Sequence, residues 1–283
     1  MSQEDKGKVY VITGANTGIG KVTALELAKR GGRILMACRS EQKALPVVEE
    51  VQKESGNSDV HFIKLDLASL SSVKTCASHI LDTEERLDVL INNAGVASIR
   101  GETQEGFELA FGVNHLGHFL FTQLLLPLLK KSTPSRVVTV ASKAHYSVKG
   151  ALNLDAVKGA TDTYVGLKEY EVSKLCNILF TKELAKRLEG SGVTCYALHP
   201  GVVASDIWRR IPGIIRPLAK MFMISNEEGA KTTLYCATSP DVAGESGLYY
   251  DECKQKKPSK LARDEALASE LWRRSEEWVA DFV

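Results

Sequence analysis

Thr13-Gly14-Ala15-Asn16-Thr17-Gly18-Ile19-Gly20 follows a short apolar run, Val9-Tyr10-Val11-Ile12. It precedes an amphipathic run, Val22 to Arg30, whose apolar face carries Ala24, Leu25, Leu27 and Ala28. The order is strand, glycine turn, helix, which is the setting a dinucleotide phosphate site requires. Glycines let the backbone approach a pyrophosphate, and a helix N-terminus offers unpaired N–H groups and partial positive charge. The spacing is Gly-x-x-x-Gly-x-Gly rather than Gly-x-Gly-x-x-Gly. A tight turn in a purely structural βα unit would also favour glycine, so the loop needs support from the rest of the chain.

That support begins with the alternation of apolar runs and helical patterns. Strands are expected at 8–12, 33–37, 60–64, 87–91, 136–141, 193–198 and 247–250. Helices are expected at 19–30, 41–55, 70–82, 104–129, 165–189, part of 203–223, and 226–238. Val-, Ile- and Leu-rich strands separated by helices predict an α/β fold. Its form is a single doubly wound Rossmann domain, with about seven mainly parallel strands and helices on both faces. Ligands of such sheets bind beyond the carboxyl ends of the strands. The whole of 1–283 reads as one domain, with a core at about 8–250, a substrate lid at 202–224 and a helical extension at 253–283. In the extension, Leu267, Leu271, Trp278 and Phe282 form an apolar stripe at helical spacing.

Composition narrows the function. The chain has 283 residues, 44% of them hydrophobic, and a formal net charge of +1, so no nucleic-acid partner is expected. Six cysteines without a C-x-x-C pair read as reduced thiols. The polar start leads directly into the first strand and shows no targeting segment. The run Phe119–Leu129 contains Gln123 and Pro127 and reads as a buried helix rather than a membrane span. The expected location is cytoplasmic or peripherally membrane-associated, not secreted.

Tyr170 and Lys174 lie four apart in a helical pattern and share a face. A neighbouring ammonium is expected to lower the tyrosine pKa, making the pair a candidate general acid/base. Ser142 ends the strand Arg136–Ala141, so its hydroxyl should project at the ligand edge. Asn92-Asn93-Ala94-Gly95 ends another strand with small residues that permit close approach. Asn114 lies inside a long helix, where Asn is unfavourable unless it has a polar task. Asp66 follows a strand and could meet an adenine amino group or simply cap a turn.

Together these residues resemble the short-chain dehydrogenase/reductase family. The matching pieces are the glycine loop at 13–20, Leu65-Asp66-Leu67, Asn92–Gly95, Asn114, Ser142, Tyr170-x-x-x-Lys174 and His199-Pro200-Gly201. The resemblance implies an NAD(P)-dependent oxidoreductase with an Asn114–Ser142–Tyr170–Lys174 tetrad. In it Tyr170 exchanges a proton with the substrate oxygen, which Ser142 holds. Lys174 binds the nicotinamide ribose, and Asn114 holds a relay water. The resemblance also implies cofactor contacts from Gly14, Asn16, Thr17, Gly18, Ile19, Gly20, Asp66, Leu67, Asn93, Ala94, Gly95, Pro200, Gly201 and Val203. Ser142 and Tyr170 are 28 positions apart, more than the family usually shows. The intervening Asn153-Leu154-Asp155, with Ala37–Ser40, Ala141–His145 and Ser173–Asn177, resembles the retinol-dehydrogenase-like branch.

Arg39 lies 19 positions after Gly20, at the end of the second strand. An acidic residue there would hold a ribose 2′-hydroxyl, whereas an arginine accommodates a 2′-phosphate, so NADP(H) is the expected cofactor. The alternative is an exposed arginine paired with Glu41. Lys21 either assists Arg39 or is solvated. The lid segment places Ile211, Ile214, Ile215, Leu218, Met221 and Phe222 among Arg209, Arg210, Arg216 and Lys220. This pattern fits a lid packed on the core, an apolar wall for a lipid-like substrate, or a peripheral membrane contact. His115 and His118 share a face without a third metal ligand. His145 is read as pocket-lining or an ordinary loop residue, and His199 as structural.

The expected activity is NADP(H)-dependent hydride transfer on the carbonyl or alcohol of an apolar substrate, retinal/retinol foremost. Another lipid aldehyde, ketone or steroid is the nearby alternative, and a catalytically silent NADP(H)-binding interaction protein the distant one. A homodimer is left open.

Overall fold

The computed structural model describes residues 4–201 and 224–283. Eight strands form one sheet: β1 (Val9–Thr13), β2 (Arg33–Cys38), β3 (Val60–Lys64), β4 (Val89–Asn92), β5 (Ser135–Val140), β6 (Val193–His199), β7 (Leu248–Asp251) and β8 (Lys254–Gln255). Their order is β3-β2-β1-β4-β5-β6-β7-β8. The first seven run parallel, and β8 pairs antiparallel with β7. The eighth strand exceeds the sequence expectation. It is a two-residue exposed edge reached through Glu252 and Cys253, both at positive φ, and so short a strand leaves no alternation to read.

Alternation along each buried strand divides the core into two layers. Val9, Val11, Leu35 and Ala37 join one cluster, while Tyr10, Ile12, Ile34 and Met36 join the other. The second layer is covered by α1 (Gly18–Lys29), flanked by α2 (Glu41–Ser55) and α6 (Asn226–Thr238). The first is covered by α3 (Leu70–Thr83), α4 (Leu109–Lys131) and α5 (Leu167–Arg187), with α7 (Glu265–Val279) against α5.

Helix α4 starts later than the periodicity predicts. Gly106 has φ 76°, Phe107 bridges to Lys158, and Glu102 bridges to Glu108, so the chain is extended there. Buried Glu108 then caps the helix, accepting from the Phe111 N–H at 2.8 Å, while its other oxygen accepts from Thr161 Oγ1 at 2.6 Å. This carboxylate latches the segment before α5 onto the start of α4. The helix also contains a π-helical turn, Gly112–Leu116, centred on Asn114. Among the described residues α4 is the one helix long and apolar enough to cross a membrane, but 72% of its apolar stretch is buried inside the fold. Its Phe119 is fully buried, a burial worth about 1.5–3 kcal/mol.

The C-terminal stripe packs as the spacing predicts. Leu271 is buried, and Leu267, Trp278 and Phe282 are partly buried against the first layer. Trp272 sits edge-on to Phe119 at 5.0 Å, with Arg187 over its ring at 4.4 Å. His115 bonds Ser275 of α7 at 3.0 Å, which gives this buried histidine a packing role.

Candidate active site

Thr13, the last residue of β1, organises the turn that follows. Its hydroxyl accepts the N–H groups of Asn93 and Ala94, each at 2.9 Å, and meets His118 Nε2 at 2.9 Å. Asn93 Nδ2 donates to Thr13 O at 2.8 Å. His118 Nδ1 lies 3.0 Å from Asn114 O. That carbonyl can only accept, so Nδ1 carries the proton and Nε2 takes the Thr13 hydroxyl. Burial pulls the His118 pKa down to about 4, which keeps the ring neutral. The two turns are thus bonded to each other and to the π-helical turn of α4.

This closeness requires glycine. Gly14 has φ 66°, and a Cβ there would lie 2.9 Å from Ala94 Cβ. A Cβ on Gly20 would lie 2.5 Å from Asn93 Nδ2 and 2.6 Å from Gly14 O. A Cβ on Gly95 would stand 3.2 Å from Asn114 Oδ1 and 3.5 Å from Lys174 Nζ. Gly95 therefore forms a floor without a side chain where the chain after β4 meets Asn114 and Lys174. Asn16, Gly18 and Ile19 are half-buried beside it, and Thr17 is exposed.

On the other side, α5 presents Tyr170 and Lys174 towards the end of β5. Lys174 Nζ donates to Val140 O at 2.8 Å, as Asn177 Nδ2 does at 3.2 Å. Burial pulls the lysine down to about 7. An ammonium has three donors, and Val140 O is its hydrogen-bond partner among the described residues, so two remain for a ligand. Asn114 has committed both amide protons, Nδ2 donating to Val96 O at 3.0 Å and Ser173 Oγ at 2.9 Å, while Oδ1 accepts from Val96 N at 2.8 Å and keeps one lone pair. Ser173 Oγ in turn donates to Tyr170 O at 2.7 Å.

Tyr170 departs from expectation. Burial raises its pKa, and a hydrogen bond from Ser142 lowers it less. Lys174 Nζ stands 5.8 Å from the tyrosine ring centroid and is bonded elsewhere, so its charge does not dominate the phenol. Tyr170 consequently holds its proton at neutral pH, as a hydrogen-bond donor or general acid must. Ser142 follows β5 in an extended conformation, and its Oγ accepts from Ala144 N at 3.1 Å.

The remaining candidates divide. Arg39 is exposed, and among the described residues its side chain forms no ion pair with Glu41; its carbonyl accepts from Lys64 Nζ at 2.5 Å. Lys21 pairs with Glu50 at 2.5 Å. Half-buried Asp66 accepts from Ala68 N at 3.0 Å, the turn-capping geometry, and Leu67 is buried against Gly117. Pro200 and Gly201 are half-buried after β6. Val203 and the lid residues Ile211, Ile214, Ile215, Leu218, Met221 and Phe222 lie outside the described residues. His199 Nδ1 accepts from Lys143 N at 3.3 Å, while its buried Nε2 has no partner among the described residues. Among the described residues no His/Cys/Asp/Glu group could hold a metal, and all six cysteines are free. Sequence reasoning missed Thr13, His118, Ser173 and Asn177 as members of the network. The available signal was buried polarity at strand ends and helix faces otherwise filled by apolar residues.

The residues present fit a nicotinamide dinucleotide, given the Gly95 floor and the two uncommitted donors of buried Lys174. Comparison with known proteins agrees. The family described as short chain dehydrogenase matches residues 8–213. The chain is 47% identical over 276 residues to dehydrogenase/reductase SDR family member 13 of Bos taurus, covering 95% of this chain and 72% of that protein. It is 46% identical over 279 residues to retinol dehydrogenase 13 of Homo sapiens, covering 95% and 83%. A solved structure of an uncharacterised protein from Mycobacterium paratuberculosis superposes with TM-score 0.78 at 35% identity, covering 99% and 95%. A short chain dehydrogenase from Escherichia coli complexed with NADPH shares the fold, with TM-score 0.70 at 19% identity, covering 88% of this chain and 98% of that one. The glycine loop and the tyrosine–lysine helix thus have the same explanation: this chain belongs to the short-chain dehydrogenase/reductase family, as an oxidoreductase of its retinol-dehydrogenase-like branch.

Proposed function

We propose that the protein is an NADP(H)-dependent oxidoreductase acting on the carbonyl or alcohol of an apolar substrate, with retinal/retinol as the leading pair. The observation that carries this reading is the arrangement of Ser142, Tyr170 and Lys174 beyond the carboxyl end of β5, beside the Gly95 floor. Curated relatives named retinol dehydrogenase support the substrate class.

The nicotinamide would supply or accept the hydride. The glycine loop and the start of α1 would cradle its pyrophosphate, and Asn93, Ala94 and Gly95 would line its path. Pro200, Gly201 and Val203 would border the nicotinamide end. Asp66 and Leu67 would meet the adenine end. Arg39, exposed and free of Glu41, would clamp a 2′-phosphate through charge-assisted bonds. Lys174 would direct its two uncommitted donors at the ribose.

At the reacting oxygen, Tyr170 and Ser142 act together. Both hydroxyls donate to the substrate carbonyl oxygen, and Tyr170 gives up its proton as that oxygen gains charge. Lys174, its pKa near 7, is poised to share that proton. Asn114 holds the backbone of Val96 and the α5 serine in place. A relay water there would use the remaining acceptor capacity of the Asn114 oxygens. The lid would form the apolar wall, and a peripheral membrane contact would suit a lipid-like substrate.

The test is NADPH and NADH consumption against retinal, steroid ketones and lipid aldehydes, with wild-type and Arg39→Asp proteins. Retinal should turn over with NADPH. Arg39→Asp should cut the NADPH/NADH ratio of kcat/KM by about 10- to 100-fold, the worth of one or two charge-assisted bonds. An unchanged ratio removes Arg39 from the cofactor site. Tight NADPH binding without turnover of any carbonyl returns the protein to the binding-only class.

A further inference from the structure

We propose that the C-terminal extension, residues 253–283, is a working part of the catalytic site and fixes the backbone of Ser142 through His145, a positioning residue. The inference rests on the reading of Ser142 given above. The short chain dehydrogenase match ends at residue 213, so the extension lies beyond it.

His145 is fully buried and bonded at both ring nitrogens. Its Nδ1 lies 2.6 Å from Ser142 O, and its Nε2 receives the N–H of Ser259 at 3.2 Å. A backbone N–H can only donate, so Nε2 must accept and Nδ1 must carry the proton. The ring is therefore a neutral bridge with one defined tautomer, giving to the catalytic turn and taking from the extension. Beside it, Tyr146 donates its hydroxyl to Lys257 O at 2.7 Å. The ring centroid lies 3.9 Å from that of Tyr146 and 5.1 Å from that of Tyr249.

The far side of the bridge is itself anchored. Ser259 Oγ accepts from Ala262 N at 3.2 Å, and Ala262 is fully buried in the core layer that Trp272 and Leu271 of α7 complete. The near side carries the hydroxyl that matters. Ser142 Oγ accepts from Ala144 N in the same turn, so a displaced Ser142 carbonyl displaces the Oγ as well. A misplacement of about 1 Å can cost up to about 100-fold in rate.

His145→Phe keeps an aromatic ring against Tyr249 and removes both hydrogen bonds. It should lower kcat for carbonyl reduction about tenfold or more while leaving the NADPH Kd within about twofold. Made in a Ser142→Ala background, the same change should cost nothing further, because the residue it positions is gone. Amide hydrogen exchange should accelerate at 143–147 and at 256–262. A wild-type kcat in His145→Phe, or an equal fall in the Ser142→Ala background, overturns the inference. Full activity in Ser142→Ala alone instead overturns the reading of Ser142. If no carbonyl turns over, exchange decides alone: unchanged protection in His145→Phe refutes the bridge. If His145→Phe does not fold, Ser259→Pro removes the N–H donor from the other end and must lower kcat in the same way. An unchanged kcat there refutes the role of the extension.

Discussion

The two sides of the candidate site are built from different materials. The wall formed by β1, α1 and the end of β4 is mostly backbone: its defining residues are glycines, and its bonds are N–H groups gathered on Thr13. The opposite wall, formed by β5 and α5, is mostly side chain: Lys174 and Asn177 meet at the Val140 carbonyl, and Ser142 bonds Tyr170. In the proposed reading the first wall holds phosphate, which needs close approach and free N–H groups, and glycine permits both by having no Cβ. In the same reading the second wall transfers a proton, which needs particular pKa values that burial and bonding must create. Asn114 and His118 join the two, one gripping Val96 and the other gripping Thr13.

The sharpest way to separate the walls is Tyr170→Phe. It should lower turnover about 1000-fold, within the range for loss of a general acid, and leave NADPH binding near the wild-type value. Equal loss of binding and turnover would mean that the walls are one unit. The complementary change is Gly20→Ala. Its Cβ would be driven into Asn93 Nδ2 and Gly14 O, an overpacking of about 1–3 kcal/mol. NADPH affinity, read by fluorescence titration, should weaken about 10- to 100-fold, and the Tm should fall. Unaltered affinity would show that the loop does not shape the phosphate site.

A third test concerns Lys174 alone. In the folded chain this amine loses its proton above about pH 7, whereas an unfolded lysine keeps it to about pH 10.4. Between those limits the unfolded state binds more protons, so stability rises with pH by up to about 1.4 kcal/mol per unit. Lys174→Met should remove that contribution in denaturant titrations, read most cleanly between about pH 7 and 8, below the ionisation of unfolded cysteine thiols. Parallel slopes in the two proteins would show that the folded lysine stays charged.

The backbone wall was legible in the sequence, because a strand, a glycine turn and a helix are local and their order is written in adjacent residues. The parallel sheet followed from apolar runs of strand length. The tetrad was legible as residue types, mainly through family resemblance, but its electrostatics were not. Tyr170 is governed by burial rather than by the lysine four positions away, and burial is a tertiary property that local spacing does not register. The start of α4 was misplaced because Glu108 takes its partner from Thr161, and no periodicity registers that bond. The π-helical turn adds one residue per turn around Asn114, a change too small to disturb an apolar pattern. The contact between His145 and Ser259 joins positions 114 residues apart.

The latch between Glu108 and Thr161 has an evolutionary consequence. The segment it secures hangs from the loop around Gly101 and Gly106 at the carboxyl edge, through bonds from Thr161 and Gly159. None of these bonds belongs to the sheet ladder. A lineage can therefore lengthen, shorten or rewrite this segment without renegotiating the strand pairing beneath it.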